Sequence, residues 1–265
     1  MDRAIYIRTA AVICIITFSS VFVSIFDARA QAAQPAVSFA EELAGLGVNR
    51  IHEKKYSEAI ELLNRAIAMD PAIAEAHMNL GTALLLSGDA ESALAPIKKG
   101  LSLSPQSYQG FNQLGVVYDK LGRVSDAIAA FKRSVEIKDD YARGHYNLGA
   151  AYLWANKLKQ ASVSLRRAIE LDPENNDARL NLGAVLARQD RYKDAIAEVK
   201  KVTDRAPDHE NANLLLCNIY LMAEDRSSAL TMYQSFKARD ESLAEKMFKS
   251  IFRGQVVYVN KDQRR

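Results

Sequence analysis

Three residue ladders sharing one period constrain this chain more than any other feature. Gly47, Gly81, Gly115, Gly149 and Gly183 are each 34 residues apart, and Cys217 takes the next slot. Ala59, Ala93, Ala127, Ala161, Ala195 and Ala229 keep the same interval, as do Leu46, Leu80, Leu114, Leu148, Leu182 and Leu216. Pro71, Pro105, Pro173 and Pro207 close four of the six units, with Asp139 and Glu241 in the other two. A period of this size signals a stack of supersecondary units, each burying its apolar face on its neighbours.

Each unit reads as two helices. Leu80, Ala83 and Leu84 have helical spacing in the first half of a unit, and Ala127, Ile128, Phe131 and Val135 in the second half of the next. The glycine and alanine ladders mark close crossings, where a large side chain would hold two helices apart. Proline after the second helix lacks the N–H that continuation needs. Pro96, inside the second helix of the second unit, is expected to kink it.

The residues resemble the tetratricopeptide repeat. Its Leu-Gly…Tyr…Ala…Phe…Ala…Pro pattern stands here as Leu114-Gly115, Tyr118, Ala127 and Phe131, and again as Leu148-Gly149, Tyr152, Ala161, Leu165, Ala168 and Pro173. Arg50 replaces the usual Tyr or Leu, and Cys217 and Glu241 replace Gly and Pro in the most divergent unit. The resemblance implies an all-α fold: a right-handed superhelical solenoid of six helix pairs with a C-terminal capping helix. The repeats are placed at 40–73, 74–107, 108–141, 142–175, 176–209 and 210–241, after a linker at 31–39. A capping helix over 242–254 is expected to start at Asp240, to carry Leu243, Met247, Phe248, Ile251 and Phe252 on one face, and to end at Gly254. The tail 255–265 opens with an extended-looking run, Gln255, Val256, Val257, Tyr258 and Val259.

The N-terminus reads as an address. Arg3 and Arg8 precede an uncharged run over 9–26, and Ala28 and Ala30 offer the small residues of a signal-peptidase site. Cleavage after Ala30 would give an exported periplasmic or secreted protein. The run of 18 residues also reaches the lower edge of a membrane span, so an uncleaved anchor facing outward fits as well. Cys14 follows Ile13, which excludes a lipoprotein site.

Little in the chain suggests chemistry. Lys and Arg total 35 against 32 Asp and Glu, a balance unlike that of a nucleic-acid binder. His52-Glu53 begins like a zinc-protease motif, but Tyr56 stands where the second histidine belongs. His77 and His145 share one repeat slot and read as packing residues. Gly45-Leu46-Gly47 lacks the strand and third glycine of a nucleotide loop. Cys217 sits in a packing slot and reads as an inert thiol. No catalysis, cofactor or metal is expected.

The resemblance implies that slots 2, 5, 9, 12 and 13 of each repeat face a concave groove made by the first helices. These slots hold Met78, Leu85 and Leu86, then Gln109, Asn112, Val116, Asp119 and Lys120. Arg143, Tyr146, Leu153 and Trp154 follow, then Asp177, Leu180 and Arg188, then Asn211, Leu214, Asn218, Leu221 and Met222. Tyr146, Leu153 and Trp154 suit an anchor for an apolar peptide or helix, and equally suit packing against neighbouring helices. Asn79, Asn147 and Asn181 share another slot and read as structural. No repeat has the Lys and Asn pair of the carboxylate-clamp variety of this family.

A basic ladder, Lys98-Lys99, Lys132-Arg133, Arg166-Arg167 and Lys200-Lys201, could stripe the opposite face and weakly contact an anionic membrane. The helix dipole explains it more simply, with Glu58, Glu91, Asp126 and Asp194 opening the same helices. The expected function is a non-catalytic scaffold or adaptor that binds a protein or peptide partner. Exported six-repeat relatives in this family assist pilus or outer-membrane assembly. A self-assembling structural protein and a regulatory subunit of an exported enzyme are the alternatives.

Overall fold

The structure, a computed structural model, describes residues 39–253. The expectations for Ala30, Gly254 and the tail fall outside them. The described residues form thirteen helices and no strand, as six pairs and a terminal helix. The described residues divide into two compact units, which meet in the sequence between Pro105 and Gln106.

The first unit holds α1 (39–52), α2 (Tyr56–Met69), α3 (Ala74–Leu86) and α4 (Leu94–Leu103). Its core gathers Leu43, Ala44, Ala59, Leu63, Ala66, Ala76 and Ala83. The second unit holds α5 (Tyr108–Lys120), α6 (Val124–Ile137), α7 (Ala142–Trp154) and α8 (Leu158–Leu171). It continues with α9 (Asn176–Ala187), α10 (Tyr192–Arg205), α11 (Glu210–Met222), α12 (Arg226–Lys237) and α13 (Glu241–Arg253). Its core centres on Leu165, Leu182, Val185, Leu186, Val199 and Ile219, all fully or almost fully buried. A second cluster joins Leu214, Cys217 and Phe236 to Leu243, Met247 and Ile251 of α13.

The ladders work as crossing points. All six ladder alanines are completely buried. Each ladder glycine meets the residue sixteen positions on: Gly47 meets Leu63, Gly81 meets Ile97, Gly115 meets Phe131, Gly149 meets Leu165 and Gly183 meets Val199. A Cβ at any of the five would lie 2.3–2.7 Å from that side chain.

Helix ends repeat as strictly. Every first helix stops on a left-handed residue, at Lys54, Gly88, Gly122, Asn156, Asp190 and Glu224, with φ between 57° and 101°. The next N–H reaches back five residues, as from Lys157 to the Tyr152 carbonyl (2.8 Å) and from Arg191 to Leu186 (3.0 Å). This is the Schellman closure, which satisfies otherwise orphaned carbonyls. The second helices end on Asp70, Ser104, Asp172 and Ala206, with ψ between 79° and 98°. A following proline excludes the helical conformation from the residue before it.

A side-chain device then ties each of four inter-repeat turns. His77 Nε2 donates to the Pro71 carbonyl (3.0 Å) and His145 Nε2 to that of Asp139 (2.8 Å). Arg179 Nη2 donates to Pro173 (2.9 Å) and Asn213 Nδ2 to Pro207 (2.7 Å). All four side chains are buried and share one repeat slot. The histidines are therefore turn fasteners as well as packing residues.

Two expectations are corrected. Pro96 does not kink a long helix. The helix starts late, at Leu94, so Pro96 occupies its first turn, where a missing N–H costs nothing. The chain before it runs through a turn in which Ser92 N–H donates to Asp89 Oδ1 (3.0 Å). On α13, Asp240 caps the helix through Leu243 N–H (2.9 Å), and Leu243, Met247 and Ile251 are buried. Phe248 and Phe252 lie off that stripe, 37% and 49% exposed, and gather with Tyr233.

Candidate functional site: the first-helix face

Each first helix buries one side on its own second helix through the glycine slot. Slots 2, 5, 9, 12 and 13 lie away from that crossing, and the structure divides them sharply.

Slot five is packing. Met78 is buried against α4, where a Cβ on Gly100 would stand 2.5 Å from Met78 Cγ. Asn112 is buried and accepts a hydrogen bond at Oδ1 from Asn147 Nδ2 (2.8 Å). Tyr146 is hydrogen-bonded to Asn181 in the same way, one repeat further on. Burial, and then the charge of Asp177, push the Tyr146 phenol above its ordinary range. Leu180 and Leu214 are buried, and so is Asn218 of slot nine. The expectation that Met78, Asn112 and Leu180 line an open surface is therefore corrected. In the second unit neighbouring first helices touch, α5 with α7 and α7 with α9, and Asn147 and Asn181 have the structural role read for them.

The exposed part is the end of the first helices. In the first unit Leu86 is 47% exposed and Leu85 half-buried. In the second unit slot thirteen presents Lys120, Trp154, Arg188 and Met222, all exposed, beside half-buried Leu153 and Leu221. Trp154 is 49% exposed. Arg188 donates from Nη2 to Asn156 Oδ1 (2.9 Å) and from Nη1 to the Leu153 carbonyl (3.4 Å). It thereby reaches the α7 terminus that carries Trp154. Arg143 is exposed at the opposite end of α7. The strip offers aromatic and aliphatic contact area with a fixed guanidinium beside it, a composition suited to holding apolar side chains.

The face has no evident reactive group. Cys217 is fully buried, and burial pushes its thiol up to about 11. Among the described residues no group of three His, Cys, Asp or Glu could hold a metal ion. His209 caps α11, its Nδ1 accepting from Ala212 N–H (3.2 Å). Four of the eight residues of the basic ladder stand in ion pairs. Lys132 and Arg133 each reach Glu136 at 3.6 Å, Arg167 reaches Asp139 (2.8 Å) and Glu170 (3.4 Å), and Lys201 reaches Glu198 (2.8 Å).

Paired helices, glycine crossings and recurrent caps define a helical-repeat protein. Models described as tetratricopeptide repeat match residues 53–108, 142–175 and 186–242, and one described as TPR repeat matches 120–153. The chain belongs to the tetratricopeptide repeat family. A comparison with curated protein sequences finds no match. Among solved structures, PilF of Pseudomonas aeruginosa is similar with a TM-score of 0.70 at 19% identity, covering 83% of this chain and 99% of that one. YrrB, described as a TPR protein with an unusual peptide-binding site, gives 0.61 at 25% identity over 71% of this chain and 97% of its own. MamA of Desulfovibrio magneticus RS-1 gives 0.57 at 25% identity over 64% and 97%.

Proposed function

We propose that the chain is an exported, non-catalytic scaffold or adaptor that holds a peptide or helix of a partner protein against its first-helix face. The observation that carries this reading is Trp154, the single tryptophan, half exposed at the end of α7 beside Leu153, with Arg188 bonded to the same helix end. A large aromatic kept at the surface by a helix end gives contact area with little rotamer entropy to lose. The family's use as an interaction scaffold supports it, and so does the likeness to YrrB, a TPR protein described as having an unusual peptide-binding site. Export rests on the uncharged run at 9–26 and the small residues at Ala28 and Ala30. A place in the cell envelope is compatible with that export, and pilus or outer-membrane assembly is the role proposed within it by analogy with exported members of the family. The groove set is proposed in the second unit as Arg143, Tyr146, Leu153, Trp154, Arg188 and Leu221, with Met222 added, and Leu85 and Leu86 are proposed as contact positions of the first unit by itself.

The test is a crosslinking pull-down with the full chain and its Trp154→Ala variant. A specific partner captured by the first and lost by the second supports the reading, provided helical content is unchanged. Equal capture by both refutes it. N-terminal sequencing of the exported protein tests the address: a start at Gln31 supports cleavage, and an intact Met1 end contradicts it.

A further inference from the structure

The second-helix face is charge-balanced at most of its helix starts and unbalanced at one. Arg123 precedes α6 and pairs with Asp126 at 2.6 Å, and Arg191 precedes α10 and pairs with Asp194 at 2.5 Å. In α8 the same two slots hold Lys157 and Gln160, and Lys159 adds another cation. The first turn of α8 contains no acid. Cations there oppose the helix dipole, so helix stability does not account for them. Lys157, Lys159 and Arg166 form no ion pair among the described residues, whereas Arg167 beside them is held by Asp139 and Glu170.

The same helix breaks a second ladder. The slot occupied by Glu61, Ala95, Ala129, Ala197 and Thr231 holds Val163 in α8. Val163 is 70% exposed, more than any other large apolar side chain among the described residues. It borders a hollow of about 490 Å³ between α6, α7 and α8, which Val135, Leu148 and Tyr152 line with apolar surface and Lys132 and Lys159 with charge. The two acids of the hollow are already engaged, Glu136 by Lys132 and Arg133, and Asp139 by Arg167. The charge left over is positive, and it stands beside apolar surface that nothing among the described residues covers.

We propose that this hollow is a second docking site, for an acidic segment of a partner protein that also carries large apolar side chains. An apolar side chain enters against Val163 and Tyr152, and a neighbouring Asp or Glu faces Lys159 and Lys157. Charge complementarity selects the partner, since the unpaired groups are all cations. The hollow favours a protein segment over a bilayer. A side chain can enter it, and the paired acids Glu136, Asp139 and Glu170 dilute the field a membrane would meet. The site lies between α6, α8 and the side of α7 that carries Leu148 and Tyr152, and it does not depend on the reading of Trp154.

The test is selection of phage-displayed random sixteen-residue peptides on the immobilised full chain, followed by titration of the enriched peptides. Peptides rich in Asp or Glu beside large apolar residues are expected. Their affinity should fall about tenfold or more with Val163→Glu and with Lys159→Glu, fall less with Lys159→Gln, and stay unchanged with Trp154→Ala. It should also weaken with added salt. Val163 and Lys159 are both exposed, so these variants keep the fold, which circular dichroism checks. The proposal is overturned if no peptide is enriched, or if the enriched peptides bind Val163→Glu as tightly as the parent. Loss of binding only with Trp154→Ala overturns it too, by placing capture on the other face. Binding of phosphatidylglycerol vesicles that depends on Lys159, with no peptide selected, assigns the patch to lipid. A dimer in light scattering that Val163→Glu dissolves assigns it to a second copy.

Discussion

Replacing Gly81 and Gly45 by alanine, one at a time, isolates the energetics of the crossing. Both lie inside first-unit repeats, and in both the new side chain improves helix propensity by about 1 kcal/mol. Their surroundings differ completely. A Cβ at Gly45 meets nothing within 4 Å. A Cβ at Gly81 would lie 2.3 Å from Ile97 Cγ1, 2.8 Å from Cδ1 and 2.9 Å from the Ala93 carbonyl oxygen. Carbon atoms rest at about 3.5–4.0 Å, so α3 and α4 must separate by roughly 1 Å. Ile97 and Ala93 are completely buried, and a backbone oxygen cannot rotate away. Overpacking of this kind costs roughly 1–3 kcal/mol, and a rigid backbone contact places it in the upper half of that range. The propensity gain is common to both variants and cancels between them. The expected gap in unfolding free energy is therefore about 2–3 kcal/mol, with Gly45→Ala stabilised by about 1 kcal/mol and Gly81→Ala destabilised by about 1–2 kcal/mol. Urea unfolding followed by far-ultraviolet circular dichroism measures it. Equal shifts in the two variants would show that the glycine ladder is not a contact ladder and would refute the reasoning.

Three other outcomes follow from the geometry. Lys54→Gly should raise stability by up to about 1 kcal/mol, because Lys54 holds φ 61° at a helix end where glycine has no Cβ strain, and Gly122→Ala should lower it by a similar amount; thermal melting checks both. Asn147→Ala should cost about 1–2 kcal/mol, since it strands the buried Oδ1 of Asn112, while Asn147→Asp should restore nothing; denaturant titration reads this. In a Cys14→Ser background, Cys217 should resist thiol-specific reagents at neutral pH until the chain unfolds. Its pKa is raised to about 11 in the folded state, so its contribution to stability is complete below the ordinary thiol range and is lost as pH rises through that range to about 11. Rapid labelling of folded protein would contradict the burial.

The repeat was legible because packing at a crossing accepts only small side chains, and only alanine, glycine or cysteine fills those slots. The left-handed helix ends were half legible. Gly88, Gly122, Asn156 and Asp190 are residues that tolerate positive φ, but Lys54 and Glu224 break the compositional signal at the same slot. The turn fasteners were hidden, because His77, His145, Arg179 and Asn213 look unrelated until their shared bond to a carbonyl six residues back is seen. The face set was read too widely for a similar reason. Whether Met78, Asn112 or Leu180 is a surface depends on how closely neighbouring helices approach, which no single helix encodes. Pro96 was legible as a disturbance, but whether it bends a helix or delays its start depends on competing turn bonds such as that from Ser92 N–H to Asp89. The departure at Val163 stood in the sequence, as the one branched apolar residue of its slot.

Trp154 reports on the central proposal directly, since its indole is the chain's single tryptophan fluorophore. The decisive measurement is its emission and acrylamide quenching during titration with the partner captured in the pull-down, using a partner segment free of tryptophan. Binding on the first-helix face predicts a shift to shorter wavelength and loss of quencher access at saturation. Saturable binding that leaves both unchanged would place the partner elsewhere and contradict the account.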